Sequence, residues 1–541
     1  MTPPSRRRAS GHRRSHPTSR PRLRPTRRGW LVLVVLTLSL AGGVALAGYA
    51  YYQTRTGDIL HANARFVPEA PPAAPPRASP DRFEWSEYGY TKDHTRYFPT
   101  SLRGPFHQAW VHHGAAILEF PPTISNGSLY QLNDNAVLMA INKSNGRVRW
   151  RRRLGRLSAS TPAASGNSVY ATVLARAAGV QEGRVVAVRQ SDGTVRWSRA
   201  LPSRSESSPL LDRGRLYFGT EDGTVFALRA SDGSVIWTYH ARGAVKASPT
   251  LNDGRLYFGD YGGSVHALRQ GDGRPVWSTD TSGTLFGSGN FYSTAAVRWG
   301  RVFLGSTDGR VYAFDEWTGR LDWAHQTGAY VYASPAALDT PGLGPTLYLG
   351  SYDGTFYALN ARTGRVRWRY HAGGRISGSA TVVGHTVYFA DLGERNTTGL
   401  DIRTGRWVFG WGSGSFDPVV SDGGWLYVTG YTGLYALAPP DHRGAPAKEQ
   451  PAVAPAPKAP AARRAPAPSP ARPIPPILRP VSQTPAPTPA LPIPPILPPV
   501  SQTPPPTPAL PIPPILPPVS PAAKDTPPSP PAALPPVIHP F

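Results

Sequence analysis

The sequence contains no cysteine and only two methionines in 541 residues. That excludes disulfide staples, zinc–thiolate sites, iron–sulfur clusters, c-type haem attachment and cysteine nucleophiles. Acid is scarce too: 33 Asp and Glu stand against 58 Lys and Arg, a formal net charge of +25. The excess is uneven. Residues 1–28 carry ten arginines and no acid, 441–541 add about five positive charges, and 81–440 is only about +9. A body this weakly basic does not read as a nucleic-acid binder, and no nucleic-acid partner is expected. Beyond residue 53 no stretch keeps a 3.6-residue apolar period, so a helical body is excluded as well. What is abundant is glycine (55) and proline (63), with 37 of the prolines in 441–541.

The 26 residues Gly29 to Thr54 carry no charge. At about 1.5 Å rise per residue, Trp30–Tyr52 is long enough to cross a hydrocarbon core of about 30 Å. Trp30 at one end and Tyr49, Tyr51 and Tyr52 at the other stand where interfacial aromatics belong. The arginines ahead of them place the amino end in the cytoplasm and everything after residue 53 outside. The expectation is a single-pass signal anchor over 30–52 in the cell membrane, behind a cytoplasmic Arg-rich segment, 1–29. The alternative is secretion after cleavage at Ala45-Leu46-Ala47. Six prolines from Pro68 to Pro80 mark 53–80 as a linker. The folded part is expected over 81–440, beginning near Phe83-Glu84-Trp85.

Between these ends the chain repeats. Gly-x-x-x-Trp recurs at Gly146/Trp150, Gly193/Trp197, Gly233/Trp237, Gly273/Trp277, Gly319/Trp323 and Gly364/Trp368, with a degenerate copy at Gly405/Phe409. The tryptophans are spaced 47, 40, 40, 46 and 45 residues apart. Each unit reads as four short strands, in one copy Ser208–Leu211, Arg215–Gly219, Thr224–Arg229 and Ser234–His240. Asp222-Gly223, Asp308-Gly309 and Asp353-Gly354 supply residues that tolerate positive φ at the joints. Four-stranded units of about 40 residues in a closed ring predict a β-propeller. Inner-strand signatures beginning at Pro121, Pro162, Pro209, Pro249, Ala295, Pro335, Ala380 and Pro418 count eight blades. The last unit stops after its third strand, so 106–114, which contains Trp110, is expected to return as its fourth. Closure removes the two exposed sheet edges of an open array.

The A-x-[DN]-x-x-[TD]-G-x-x-x-W pattern, with copies ALRASDGSVIW (227–237), ALRQGDGRPVW (267–277), AFDEWTGRLDW (313–323) and ALNARTGRVRW (358–368), resembles the pyrroloquinoline-quinone (PQQ) repeat. The resemblance covers about 110–437. It implies an eight-bladed propeller in which Trp110, Trp150, Trp197, Trp237, Trp277, Trp323 and Trp368 dock between neighbouring blades. It also implies two functional possibilities, because the family holds quinoprotein dehydrogenases as well as non-enzymatic propellers such as the lipoprotein subunit of the outer-membrane β-barrel assembly machinery. The dehydrogenases hold the quinone on the axis, often against an adjacent-cysteine disulfide, with a calcium-type ion on carboxylate and amide oxygens and a catalytic aspartate.

This chain has no cysteine platform, and the largest additions between blades are six or seven residues. Asp222, Asp232 and Asp272 sit at turn positions that account for them. His113, His240 and His371 recur three residues after outer-strand tryptophans, on separate blades that diverge. No catalytic, cofactor-binding or metal residue is therefore assigned; the alternative is a PQQ- and calcium-dependent oxidoreductase. Only blade entrances near the axis converge, and three residues before each inner strand lie Leu118, Ala159, Glu206, Lys246, Tyr292, Tyr332, Ser377 and Ser415. Glu206, Lys246, Tyr292 and Tyr332 form the candidate site for a polar ligand or partner loop. The run RVRWRRRLGR (147–156) puts Arg147, Arg149 and Arg151 on one strand face, which reads as edge protection or as contact with an anionic membrane or envelope polymer.

After Pro440 a 19-residue repeat appears, PIPPILRPVSQTPAPTPAL (473–491), PIPPILPPVSQTPPPTPAL (492–510) and the partial PIPPILPPVS (511–520). Proline closes off helix and sheet and leaves a disordered polyproline II tail, a spacer or a source of docking motifs. The reading is a membrane-anchored, monomeric, extracytoplasmic all-β propeller that binds or assembles protein partners of the cell envelope without catalysis.

Overall fold

Two-residue hairpin turns join the first two strands of blades 1 to 5 and 7. Asn126-Gly127, Arg213-Gly214, Asp253-Gly254 and Trp299-Gly300 all have both residues at positive φ, the geometry that matches the twist of antiparallel strands. The inner strand leading into each turn is short, and the next two strands are buried on both faces. That is why they read as unbroken apolar runs such as Arg215–Gly219 (RLYFG) and Thr224–Arg229 (TVFALR). The fourth strand alternates exposed and half-buried positions, as an edge strand does.

The computed structural model describes residues 34–46, 58–59, 66–69, 83–114, 116–175, 182–281, 289–414, 416 and 419–440. Two compact units divide the chain at 449/450, and every described residue belongs to the first. Eight sheets make eight blades. Blade 1 runs Thr123–Ser125, Ser128–Leu132, Val137–Asn142, Val148–Arg153; blades 2 to 7 follow in the same order with inner strands Ala163–Ser165, Leu210–Asp212, Thr250–Asn252, Ala296–Arg298, Ala336–Thr340 and Thr381–Val383. Blade 8 takes Val419–Ser421, Leu426–Thr429 and Gly433–Ala438 from the carboxyl end of the propeller and His107–His113 from its amino end. The seam is antiparallel, with Gln108 opposite Leu437, Trp110 opposite Ala436 and His113 opposite Gly433. The ring closes as the repeat count predicts.

The blades lock through their tryptophans. Trp150, Trp197, Trp237, Trp277, Trp323 and Trp368 each face an alanine on the third strand, and the register shifts immediately beyond that pair. The ring then covers the turn glycine of the next blade. A Cβ on Gly193 would lie 2.6 Å from Trp150, and one on Gly233 2.7 Å from Trp197. Each indole Nε1 donates to a carbonyl of that same turn, Trp150 to Gln190 at 2.7 Å and Trp323 to Ala361 at 3.1 Å. Trp110 repeats this across the seam, over Gly146 and bonded to the Lys143 carbonyl at 2.9 Å. Phe409 is the exception, and the seam explains it. The third and fourth strands of blade 8 are not joined, so the turn glycine is missing; Phe106 stands edge-on to Phe409 instead, at 5.9 Å.

Two parts of the chain depart from expectation. The stretch 53–80 is not wholly a spacer: Asp58–Ile59 pairs with the outer strand of blade 5, and Phe66 stacks on Trp299 at 5.6 Å. Glu69 accepts the Trp299 backbone N–H at 2.6 Å. The larger departure is 83–98, which runs round the inside of the ring. Its main chain bonds to the inner strands of blade 1 at Ile124, blade 2 at Ala164, blade 4 at Leu251, blade 5 at Val297, blade 6 at Ala337 and blade 7 at Val382 and Gly384. On blade 3 the Glu87 side chain takes that part and accepts the Leu211 N–H at 3.3 Å. Tyr90, His94 and Arg96 are held at positive φ along this segment, a strain of about 1–2 kcal/mol each that the ring of bonds sustains.

Of the expected anchor, 34–46 is helical, with Val35, Leu36, Leu38, Leu40, Val44 and Leu46 exposed. Among the described residues no helix is long and apolar enough to cross a membrane. Residues 1–33 and 47–52, and the repeats of 441–541, lie outside the described residues.

Candidate functional site

Each inner strand runs from a blade entrance towards its hairpin turn. Glu206, Lys246, Tyr292 and Tyr332 each precede by five residues a residue that bonds to the axial segment: Leu211, Leu251, Val297 and Ala337. At no more than about 3.6 Å per residue, the four side chains stand up to about 18 Å along the axis from that segment. The candidate residues therefore lie towards the entrance ends of the inner strands, and 83–98 bonds nearer their hairpin turns.

The structure brings all four into one chain of contacts. Lys246 Nζ lies 2.8 Å from Glu206 and 3.0 Å from Glu221. Tyr292 donates its hydroxyl to the second Glu206 oxygen at 3.0 Å. The Tyr292 and Tyr332 rings meet edge to face at 5.7 Å. Of the other entrance residues, Leu118 and Ala159 are buried and apolar, Ser377 bonds the Tyr352 hydroxyl at 3.4 Å, and Ser415 lies outside the described residues.

Three tyrosines extend the set. Tyr261 lies 6.3 Å from Tyr292, Tyr352 lies 4.9 Å from Tyr332, and Tyr330, 53% exposed, lies within 6.3 Å of both Tyr332 and Tyr352. Arg375 caps the far end over the Tyr352 ring, and Arg204 stands 3.5 Å from Glu221 at the other. The result is an aromatic wall over blades 4 to 6, exposed at Tyr330 and enclosed at Tyr292. Glu221, Tyr261 and Tyr352 escaped the sequence reading because they come from the turn between the second and third strands. Their shared signal is position: each is the second residue after a strand-ending glycine, Gly219, Gly259 or Gly350.

Electrostatics keep this wall in one protonation pattern. Burial raises the Glu206 carboxyl and Lys246 pulls it back; burial opposes the Lys246 charge, but Glu206 and Glu221 win and hold the ammonium above its ordinary range. Glu221 is lowered, with Lys246 outweighing burial. Burial first, then Glu206, pushes the Tyr292 phenol well up. Tyr261 and Tyr332 are raised by burial as well. At neutral pH these phenols are therefore neutral donors, suited to stacking and hydrogen bonding.

A quinone with a calcium-type ion would need a ring platform and a cluster of oxygen ligands. Among the described residues no group of three or more His, Asp or Glu side chains could hold a metal ion. Among the described carboxylates, Glu206 and Glu221 are paired with Lys246.

Comparison with known proteins agrees with the geometry. The family model described as outer membrane protein assembly factor BamB matches residues 107–240, 181–339 and 336–409. Among curated proteins there is no sequence match. Among solved structures, BamB from Moraxella catarrhalis is similar at 18% identity and a TM-score of 0.50, over 62% of this chain and 100% of its own. A europium-containing methanol dehydrogenase is similar at 13% identity and a TM-score of 0.56, over 66% and 98%. The quinohemoprotein alcohol dehydrogenase ADHIIG from Pseudomonas putida HK5 is similar at 15% and 0.54, over 70% and 82%. At these identities the likeness is one of fold. With the matched stretches spanning 107 to 409, more than half of the sequence, and a tryptophan seated on each turn glycine, the chain belongs to the PQQ-repeat β-propeller family.

Proposed function

We propose that the protein is a membrane-anchored, extracytoplasmic scaffold whose tyrosine-lined rim holds an extended segment of a protein partner, without catalysis. The observation that carries this is the wall from Tyr261 to Tyr352. It offers aromatic contact and phenol donors over three blades, with Glu206, Glu221 and Lys246 paired among themselves. Tyrosine supplies large contact area at low entropic cost, a property of partner-binding surfaces. The assembly-factor family model supports a scaffold role. The charge-free stretch behind ten arginines supports an anchor with the propeller outside, and the proline repeats support a tail that spaces or docks the assembly.

A photo-crosslinking residue at Tyr330, in intact cells, should capture one discrete partner, and Tyr332→Ala with Tyr352→Ala should abolish the capture. Unchanged capture by that double variant would remove the rim from the interface. The second reading, a quinone-dependent oxidoreductase, draws on the two dehydrogenase neighbours. Reconstituting the protein with PQQ and calcium and following dye reduction with alcohols or sugars separates the two. Turnover above the quinone-free control would overturn the scaffold-only reading. Protease added to intact protoplasts should digest the propeller and spare the amino-terminal segment; a protected propeller would reverse the topology.

A further inference from the structure

Blade 1 has an outer edge unlike the others. Its strand Val148–Arg153 carries four arginines in six residues, and Arg147 and Arg156 flank it. All six arginines are exposed residues. None forms an ion pair with a described carboxylate; Arg149, Arg152 and Arg153 reach only the Gly127, Gly193 and Asn135 carbonyls. The neighbouring turns show why. In blades 2, 3 and 4 the turn before the outer strand holds an aspartate paired with an arginine: Arg189–Asp192 at 2.9 Å, Arg229–Asp232 at 3.3 Å and Arg269–Asp272 at 3.5 Å. Blade 1 has Asn142 and Asn145 at those two positions. The blade with most arginines thus has no acid in this turn, a feature it shares with blade 6, where the two positions are Asn360 and Thr363. Asp134, between its second and third strands, is pushed up to about 7 by burial, so it is only partly ionised at neutral pH.

Protection of a sheet edge does not require this. The outer strands Val235–His240 (VIWTYH) and Pro275–Asp280 (PVWSTD) have equally open edges and no lysine or arginine. Alternate arginines on a strand stand about 6.8 Å apart, so Arg149, Arg151 and Arg153 make a linear row. His112 of the seam strand lies beside it, and burial, then the Arg151 charge, hold that imidazole below its ordinary range.

The row also has a defined place in the ring. The amino-terminal strand Asp58–Ile59 is fixed to the outer strand of blade 5, four blades from blade 1 and so diametrically opposite. Residues 53–57 bridge at most about 22 Å from Tyr52, whereas four strands at about 4.8 Å put opposite outer strands at least about 29 Å apart. Exposed charges act over only about 8 Å at physiological salt. On the anchor reading proposed above, blade 5 is the tethered edge and blade 1 the free one.

We infer that the blade 1 edge is a second binding surface, for an extended anionic polymer of the envelope whose charges repeat along its backbone. The propeller then bridges a membrane tether at one edge and a polyanion at the other, leaving the rim free for its partner. Binding should be strongly salt-dependent, because neutralising a polyanion releases its condensed counterions.

The test uses the full chain in uncharged detergent with fluorescent poly(glycerol phosphate), followed by anisotropy at low and high salt. Arg149→Gln with Arg151→Gln should weaken binding by about tenfold or more and flatten the salt dependence, with the melting temperature unchanged. Arg149→Lys with Arg151→Lys should retain most of it, and Arg365→Gln with Arg369→Gln on blade 6 should leave it intact. Equal binding by the blade 1 Gln variant and the parent, or an equal loss on blade 6, would overturn the inference. So would displacement of the polymer by phosphatidylglycerol vesicles at equal phosphate, which would assign the row to lipid. Protease protection tests the anchor separately, so the two readings fail independently.

Discussion

At the scale of single residues, the propeller rests on a glycine–tryptophan contact that is demanding from both sides. Gly233 sits at φ +72°, and a Cβ there would lie 2.7 Å from the Trp197 ring. Gly233→Ala meets a left-handed backbone and a clash together, and should cost about 2–4 kcal/mol by urea unfolding. Gly214, at φ +73° with open space around it, should cost only the backbone part, about 1 kcal/mol. Glu87 makes a different kind of demand. Burial raises its carboxyl to about 8, against 4.5 in the unfolded chain, while Lys92 and the Leu211 N–H pull the other way. The folded state therefore holds a proton that the unfolded state releases, so this group's stabilisation is complete below about 4.5 and is lost as pH rises through 8. His94 works oppositely: burial, then Arg96, lowers it to about 3, so its contribution is complete above 6.5 and is lost as pH falls towards 3. Thermal unfolding of Glu87→Gln should lack the parent's Glu87-dependent decline between about pH 4.5 and 8 and keep the His94-dependent loss on the acid side. A decline equal to the parent's would show that Glu87 is not the group responsible.

At the scale of elements, the seam yields a paired expectation. Trp110 is half-buried, so Trp110→Ala should cost about 2–3 kcal/mol, less than a fully enclosed indole. Phe409→Trp would restore the repeat's consensus yet should destabilise by about 1–3 kcal/mol, because Phe106 occupies the space that a turn glycine leaves open elsewhere. A stabilised Phe409→Trp would mean that the seam is looser than the ring contacts imply. The same pair marks what was legible in the sequence. Strand type, blade number and the returning strand were readable because the pattern of glycine, alanine and tryptophan recurs with the period of the fold. So were Glu206, Lys246, Tyr292 and Tyr332, which occupy one repeated position. Tyr261 and Tyr352 were legible only by stacking a second position of the repeat. The run from Phe83 to Phe98 was not legible, since it occurs once and makes its bonds through main-chain groups that any residue supplies. Phe66 and Glu69 were hidden in the same way, among prolines that read as linker.

At the scale of the whole molecule, the amino-terminal segments do two separable jobs. Residues 83–98 satisfy inner-strand N–H groups facing the channel, whereas His107–His113 supplies a whole strand to blade 8. Inner N–H groups left by removing the first can be taken up by water entering the channel, at a cost of about 1 kcal/mol or less each. Removing the second exposes the Gly433–Ala438 strand edge and strips Trp110 from Gly146, opening the ring at its only non-covalent seam. A chain covering 81–440 should therefore be monomeric and unfold cooperatively without the proline tail. One covering 103–440 should stay soluble with a lower melting temperature and without the Glu87-dependent loss of stability between about pH 4.5 and 8. One covering 115–440 should aggregate. Size-exclusion chromatography and thermal unfolding of the three distinguish the roles. A soluble, cooperative 115–440 would mean that the strand from the amino end is dispensable and that blade 8 is complete with three strands.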